Sequence, residues 1–91
     1  MSIEVRVPTI LRKHTGGEKK VDGEGQTLRE LVDDLELSNP GLGGALVDED
    51  GRLHRFINIY VNDEDVRFLG GIETPLEDGD SVSILPAVAG G

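Results

Sequence analysis

The residues with the clearest chemical potential are the last ones, Pro86-Ala87-Val88-Ala89-Gly90-Gly91. This stretch is small, apolar and uncharged up to its terminal carboxylate. Two closing glycines remove the Cβ from the final positions, so this end can enter a channel too narrow for any other residue. A Gly-Gly ending alone is equally what a frayed terminus looks like. Directly after a strand-ending proline, it favours a carboxylate that is presented for activation.

Other chemistry is poorly supplied. The 91 residues include no cysteine, which excludes a disulfide, a thiolate metal site and a thiol nucleophile. His14 and His54 are the only imidazoles, and neither has a second ligand at metal-binding spacing, so both are expected on surface or turn positions. Asp48-Glu49-Asp50-Gly51 and Asn62-Asp63-Glu64-Asp65 resemble calcium loops only in composition. Neither supplies the alternating ligands, central Gly and closing Glu of an EF-hand, and solvated turns account for both. Gly41-Leu42-Gly43-Gly44 follows a helix instead of opening one, and it lacks the Gly-Lys-Ser/Thr ending of a phosphate loop.

Composition bounds the partners. There are 9 Lys and Arg against 18 Asp and Glu, a net charge of −9, which repels nucleic acid and anionic membranes. The excess is uneven: residues 1–29 hold six basic and four acidic groups, residues 30–91 three and fourteen. An acidic body of this kind suits a basic partner surface. No apolar stretch reaches membrane-span length, and Met1-Ser2-Ile3-Glu4 does not read as a signal peptide, so a cytoplasmic location is expected.

The elements that must position the C-terminus are legible in outline. With 36% hydrophobic and 3% aromatic residues, one aliphatic core is expected. Ile3-Glu4-Val5-Arg6-Val7 alternates as a half-buried strand that Pro8 ends, with Ile10 and Leu11 resuming its apolar face. His14-Thr15-Gly16-Gly17 turns into a return strand over residues 18–21, and Asp22-Gly23-Glu24-Gly25 is a loop. Thr27-Leu28-Arg29-Glu30 fits a capping box. Leu28, Leu31, Val32 and Leu35 then form one apolar stripe, with Asp33, Asp34 and Glu36 on the solvated side, and Asn39-Pro40-Gly41 ends the helix. A short helical turn over 42–47 precedes a strong strand over 56–61, a brief strand at Val66-Arg67-Phe68 and a last strand over 81–85. The expected fold is α+β: a mixed sheet with one main helix packed on one face. Residues 1–86 form the domain and residues 87–91 a free tail.

Over nearly its whole length the chain resembles the ubiquitin-like β-grasp sulfur carriers, the ThiS/MoaD family, and within it the actinobacterial CysO-type carriers. The resemblance lies in Val7-Pro8-Thr9-Ile10-Leu11-Arg12 and His14-Thr15-Gly16-Gly17, and in Leu53-His54-Arg55-Phe56 with Asn58-Ile59-Tyr60-Val61-Asn62-Asp63-Glu64-Asp65-Val66-Arg67-Phe68. It continues in Asp78-Gly79-Asp80-Ser81-Val82 and Ile84-Leu85-Pro86-Ala87-Val88-Ala89-Gly90-Gly91. The segment from Gly41 to Gly51 departs from the pattern.

The resemblance implies a β-grasp domain without catalytic side chains, metal or bound cofactor. A ubiquitin-activating-like adenylyltransferase would use ATP to adenylate Gly91, and sulfur from a donor would displace AMP to leave a thiocarboxylate. Gly90, Ala89, Val88 and Ala87 would be the tail residues that partners recognise. In the CysO-type pathway a pyridoxal phosphate-dependent cysteine synthase takes the sulfur, and a metalloprotease releases the cysteine adduct. Thiosugar, thiamine and molybdopterin pathways use similar carriers, so the acceptor stays open. One independent point agrees, since a carrier with no cysteine can hold sulfur only as a terminal acyl group. A ubiquitin-like modifier joined to lysine through Gly91 and a plain interaction domain are the alternative readings.

Overall fold

The computed structural model describes residues 2–86. Five strands form one mixed sheet in the order β2-β1-β5-β3-β4: β1 Ile3–Arg6, β2 Lys20–Gly23, β3 Ile57–Val61, β4 Glu64–Asp65 and β5 Ser81–Pro86. The first and last strands lie side by side and parallel at its centre, with Val5 opposite Val82, and every other pairing is antiparallel. The expected α+β layering holds, with helix α1 (Leu28–Ser38) packed on one face of the sheet.

Strand alternation decides which residues meet the helix. Ile3 and Val5 of β1, Ile57, Ile59 and Val61 of β3, and Val82 and Ile84 of β5 all point inward and are buried. They meet the stripe foreseen in the sequence, Leu28, Leu31, Val32 and Leu35, with Leu31 wholly excluded from solvent. Leu42 and Leu46 of the short helix α2 (Leu42–Leu46) close the core at the helix C-terminus. No aromatic ring is among these core residues, so its energetics rest on aliphatic burial.

Several local expectations are corrected by hydrogen bonding that hydropathy does not encode. Ile10 and Leu11 do not extend the strand face. Thr9–His14 is a 3₁₀ helix, in which adjacent side chains diverge, so Leu11 is buried and Ile10 is 58% exposed. The return strand starts at Lys20, because the Thr15 hydroxyl donates to the Glu18 carbonyl at 2.8 Å and holds that residue in the turn. Asp22 and Gly23 accordingly belong to β2. Val66-Arg67-Phe68 is likewise a 3₁₀ turn: the Asp65 carboxylate accepts the Arg67 N–H at 2.9 Å and bends the chain out of β4.

The α1 cap is also displaced. Thr27 Oγ1 accepts the Glu30 N–H at 3.3 Å as a capping box requires, but the Glu30 carboxylate accepts the N–H of Gln26 at 3.0 Å. Residues 74–76 pin this entrance, since Leu28 donates to Thr74 and Leu76 to Gln26, both at 2.9 Å. On the far side of α1 only Asp33 has the purely solvated role expected of it. Asp34 accepts the Glu24 N–H at 2.9 Å, and Glu36 reaches across to α2.

Candidate functional site: the strand that presents the C-terminus

Position in the sheet, more than any reactive side chain, distinguishes the end of this chain. β5 is the central strand, flanked by β1 and β3, and it remains paired to its last residue, Pro86, which lies opposite Ile57. The pairing extends one residue past the expected stop at Leu85, because an antiparallel partner can accept opposite a proline that donates nothing. The last described residue is therefore held in the sheet. The tail expected at Ala87, Val88, Ala89, Gly90 and Gly91 lies outside the described residues.

The helix-free face of the sheet surrounds that end of β5. Alternation turns Arg6, Lys20, Tyr60, Ser83 and Leu85 away from the core, and the strand registers set Lys20, Arg6, Ser83 and Tyr60 in one row across four strands. With Val7, Pro8, Arg12 and Lys19 they line an open groove of about 730 Å³ that runs along β5 as far as Leu85. Leu85, 48% exposed, lies on its floor. Arg12 is oriented by donating its Nε–H to the Val7 carbonyl at 3.2 Å, and Lys20 pairs with Glu4 at 3.2 Å.

The other polar motifs have structural work. Asp48 Oδ1 accepts the N–H groups of Asp50 and Arg52 at 2.9 and 3.0 Å. The Arg52 N–H is the main cause that holds its carboxyl below the ordinary aspartate value. Asn62 and Asp63 both take positive φ, 50° and 72°, and form the tight turn joining β3 to β4. Asp65 is held ionised chiefly by its side-chain bond to Arg67, whose Nη2 stands 2.6 Å from Oδ2. His14 lies beside Gly41, where an added Cβ would come within 2.6 Å of its Nδ1, and His54 lies beside Phe56 with ring centroids 6.3 Å apart. Among the described residues no three His, Asp or Glu side chains cluster as a metal site, and no helix is long and apolar enough to cross a membrane.

Motif reading did not single out the cationic lining. Arg6, Arg12, Lys19 and Lys20 are scattered in sequence, and their only trace there is the positive balance of residues 1–29. Folding β1 against β2 gathers them.

Comparison with known proteins matches this arrangement over its whole length. The ThiS family pattern matches residues 5–91. The sulfur carrier protein CysO of Mycobacterium tuberculosis (strain ATCC 25618 / H37Rv) is 58% identical over 93 residues, an alignment covering 100% of both chains. The crystal structure of the Amycolatopsis orientalis BexX/CysO complex contains a chain with a TM-score of 0.90 and 58% identity, covering 98% of this chain and 99% of that one. The crystal structure of Mycobacterium tuberculosis CysO gives 0.91 and 57%, covering 94% and 99%. The five-stranded sheet with its helix is therefore the ubiquitin-like β-grasp.

Proposed function

The chain belongs to the ThiS family and is a sulfur carrier, and we propose that it holds its sulfur as a thiocarboxylate on Gly91 and delivers it for cysteine biosynthesis. One observation carries this reading: the family match runs through Gly91 in a chain with no cysteine to hold sulfur elsewhere. The central strand supports it, since β5 stays paired with Ile57 through Pro86, five positions before Gly91 in the sequence.

The chemistry needs no side chain of this protein. A carboxylate oxygen of Gly91 attacks the α-phosphorus of ATP on an adenylyltransferase, pyrophosphate leaves, and the carboxyl becomes a mixed anhydride. Hydrosulfide released by a donor enzyme adds to that carbonyl and expels AMP, and loss of its proton leaves C(=O)–S⁻ in place of C(=O)–O⁻. On an acceptor synthase the thiocarboxylate sulfur attacks an electrophilic carbon and forms a C–S bond, and water then cleaves the acyl bond, which frees the sulfur-containing product and restores the carboxylate. ATP belongs to the first enzyme and pyridoxal phosphate to the acceptor. A metalloprotease trims the product if it stays joined to the tail. On this reading the protein is the substrate of its partners, and Gly90, Ala89, Val88 and Ala87 are the residues they enclose.

Fragmentation mass spectrometry of the charged protein tests the assignment. One oxygen replaced by sulfur at Gly91 is the expected result. Sulfur on an internal residue, or a charged form that survives deletion of Gly91, overturns it. Lysine-linked conjugates through Gly91 in the native host, with no thiocarboxylate, would establish a protein modifier instead.

A further inference from the structure

β3 is covered along only part of its outer edge. Its neighbour β4 pairs with Tyr60 and Val61 and bends away at Val66, so Ile57, Asn58 and Ile59 have no strand beside them on that side. The Asn62 N–H donates to the Ser81 carbonyl at 2.8 Å, which sets the alternation along β3. Asn58 and Tyr60 turn their backbone groups to β5, and Ile57 and Ile59 turn theirs to the outer edge. The Ile57 N–H donates to the His54 carbonyl at 3.3 Å. The Ile57 C=O and the Ile59 N–H and C=O find no partner among the described residues. A cavity of about 290 Å³ opens at this gap, with Leu53, Ile57, Ile59 and Val66 as its apolar wall and Arg55 and Arg67 in its polar lining. We propose that the gap is a strand-addition site: it takes an extended segment of a protein partner, with an aliphatic residue opposite Ile59 and a carboxylate facing Arg55.

The chemistry of the gap selects that occupant. A free N–H beside free carbonyls is what a sheet edge offers to another strand, and an extended peptide returns the matching acceptor and donors. A phosphate chain supplies acceptors alone. The cavity is smaller than the range of small-molecule sites, about 300–1,000 Å³, and suits a side chain. Arg67 is bound by Asp65, whereas Arg55 has no ion pair among the described residues, so the charge left at the gap is positive. A second copy of the chain fits poorly, because each carries a net charge of −9. Phe56 and Phe68 adjoin lining residues in sequence and are 67% and 85% exposed, which extends the apolar contact beyond the cavity. Position gives the site a use. Pro86 pairs with Ile57 on the other side of β3, so a strand added at the outer edge lies two strand spacings from it, about 10 Å. The five residues that follow Pro86 can span at most about 18 Å. A partner held at this edge keeps Gly91 within its reach and leaves the open face of the sheet uncovered. The site itself does not depend on the chemistry at Gly91.

An NMR titration of the isotope-labelled full chain with the peptide acetyl-Glu-Val-Ile-Val-Glu-amide tests the site. Saturable amide shifts are expected at Ile57, Ile59 and Arg55, with a dissociation constant of about 1 mM, together with slowed hydrogen exchange at the Ile59 N–H. N-methylation of the central residue of the peptide removes the donor for the Ile59 carbonyl and leaves the protein untouched. It should weaken binding about tenfold or more. The same peptide with lysine at both ends should also bind about tenfold more weakly, and Arg55→Glu, at an exposed position, should weaken the acidic peptide about fivefold. No saturable shift at Ile57 and Ile59 up to about 5 mM, or equal affinity for the N-methylated peptide, overturns strand addition. Shifts centred on Arg6, Ser83 and Leu85 would place the peptide on the open face of the sheet and overturn the edge site. Equal affinity for the lysine peptide, or no loss in Arg55→Glu, overturns the acidic occupant. Shifts at Ile57 and Ile59 that grow with protein concentration when no peptide is present would overturn the foreign segment in favour of a second copy of the chain.

Discussion

The Glu36 carboxylate closes the gap between α1 and α2 by accepting the Gly41 N–H at 2.9 Å through one oxygen and the Gly44 N–H at 3.2 Å through the other. The Gly41 bond is the main cause that holds its carboxyl below the ordinary glutamate value, with the Gly44 and Gly43 amides and His14 acting in the same direction against partial desolvation. The folded state therefore favours the ionised form more than the unfolded chain does. The resulting stability is present above the unfolded pKa of about 4.3 and is lost as pH falls through the lower folded value. Glu36→Gln should melt below the native protein at pH 7, and the difference should shrink as the pH is taken below about 4. A constant gap from pH 7 to pH 3 would show that ionisation of Glu36 has no part in it.

Gly43 and its neighbour Gly44 should respond oppositely to the same substitution. A Cβ on Gly43 would stand 2.8 Å from the Glu36 Cβ and 3.2 Å from the Val32 carbonyl oxygen, neither of which can swing aside. Gly43→Ala should cost about 1–3 kcal/mol, whereas Gly44, whose Cβ would meet nothing within 4 Å, should gain about 0.5–1 kcal/mol as Ala in a helix. Denaturant midpoints of the two variants check the sign. Equal effects would mean that α1 and α2 are not in close approach.

Leu31 is the test of the core. It is fully buried between the helix and the sheet, so Leu31→Ala should cost about 2–5 kcal/mol. A loss below about 0.5 kcal/mol in chemical denaturation, the range of surface substitutions, would remove it from the core.

The last two residues should matter for activation and not for folding. Every buried hydrophobic residue found among the described residues lies between Ile3 and Ile84. Deleting Gly90 and Gly91 should leave the unfolding curve unchanged and abolish ATP–pyrophosphate exchange. Gly90→Val should do the same, because its branched Cβ widens and stiffens the segment that must enter the adenylation site. A shifted unfolding midpoint in the truncated protein would show that the tail is part of the fold.

Hydropathy period and chain chemistry were enough to determine the helix stripe from Leu28 to Leu35, the strands around Val5, Ile59 and Val82, and the absence of any thiol for sulfur. Those features depend on residues a few positions apart, or on one residue type, and local sequence carries both. The 3₁₀ turn at Thr9–His14, the start of β2 at Lys20 and the bend at Val66 were not legible. Each depends on a particular hydrogen bond, such as Thr15 to Glu18 or Arg67 to Asp65, that outweighs an ambiguous apolar pattern. The groove shows the same limit over longer distances. Arg6, Arg12, Lys19 and Lys20 read as scattered charges in the sequence. Only the antiparallel register of β1 with β2, and the parallel placement of β1 beside β5, brings them to the strand that leads to Gly91. Strand pairing between residues some eighty positions apart is a property of the assembled sheet, because those backbone bonds are indifferent to side-chain type and form only once the shared core has collapsed.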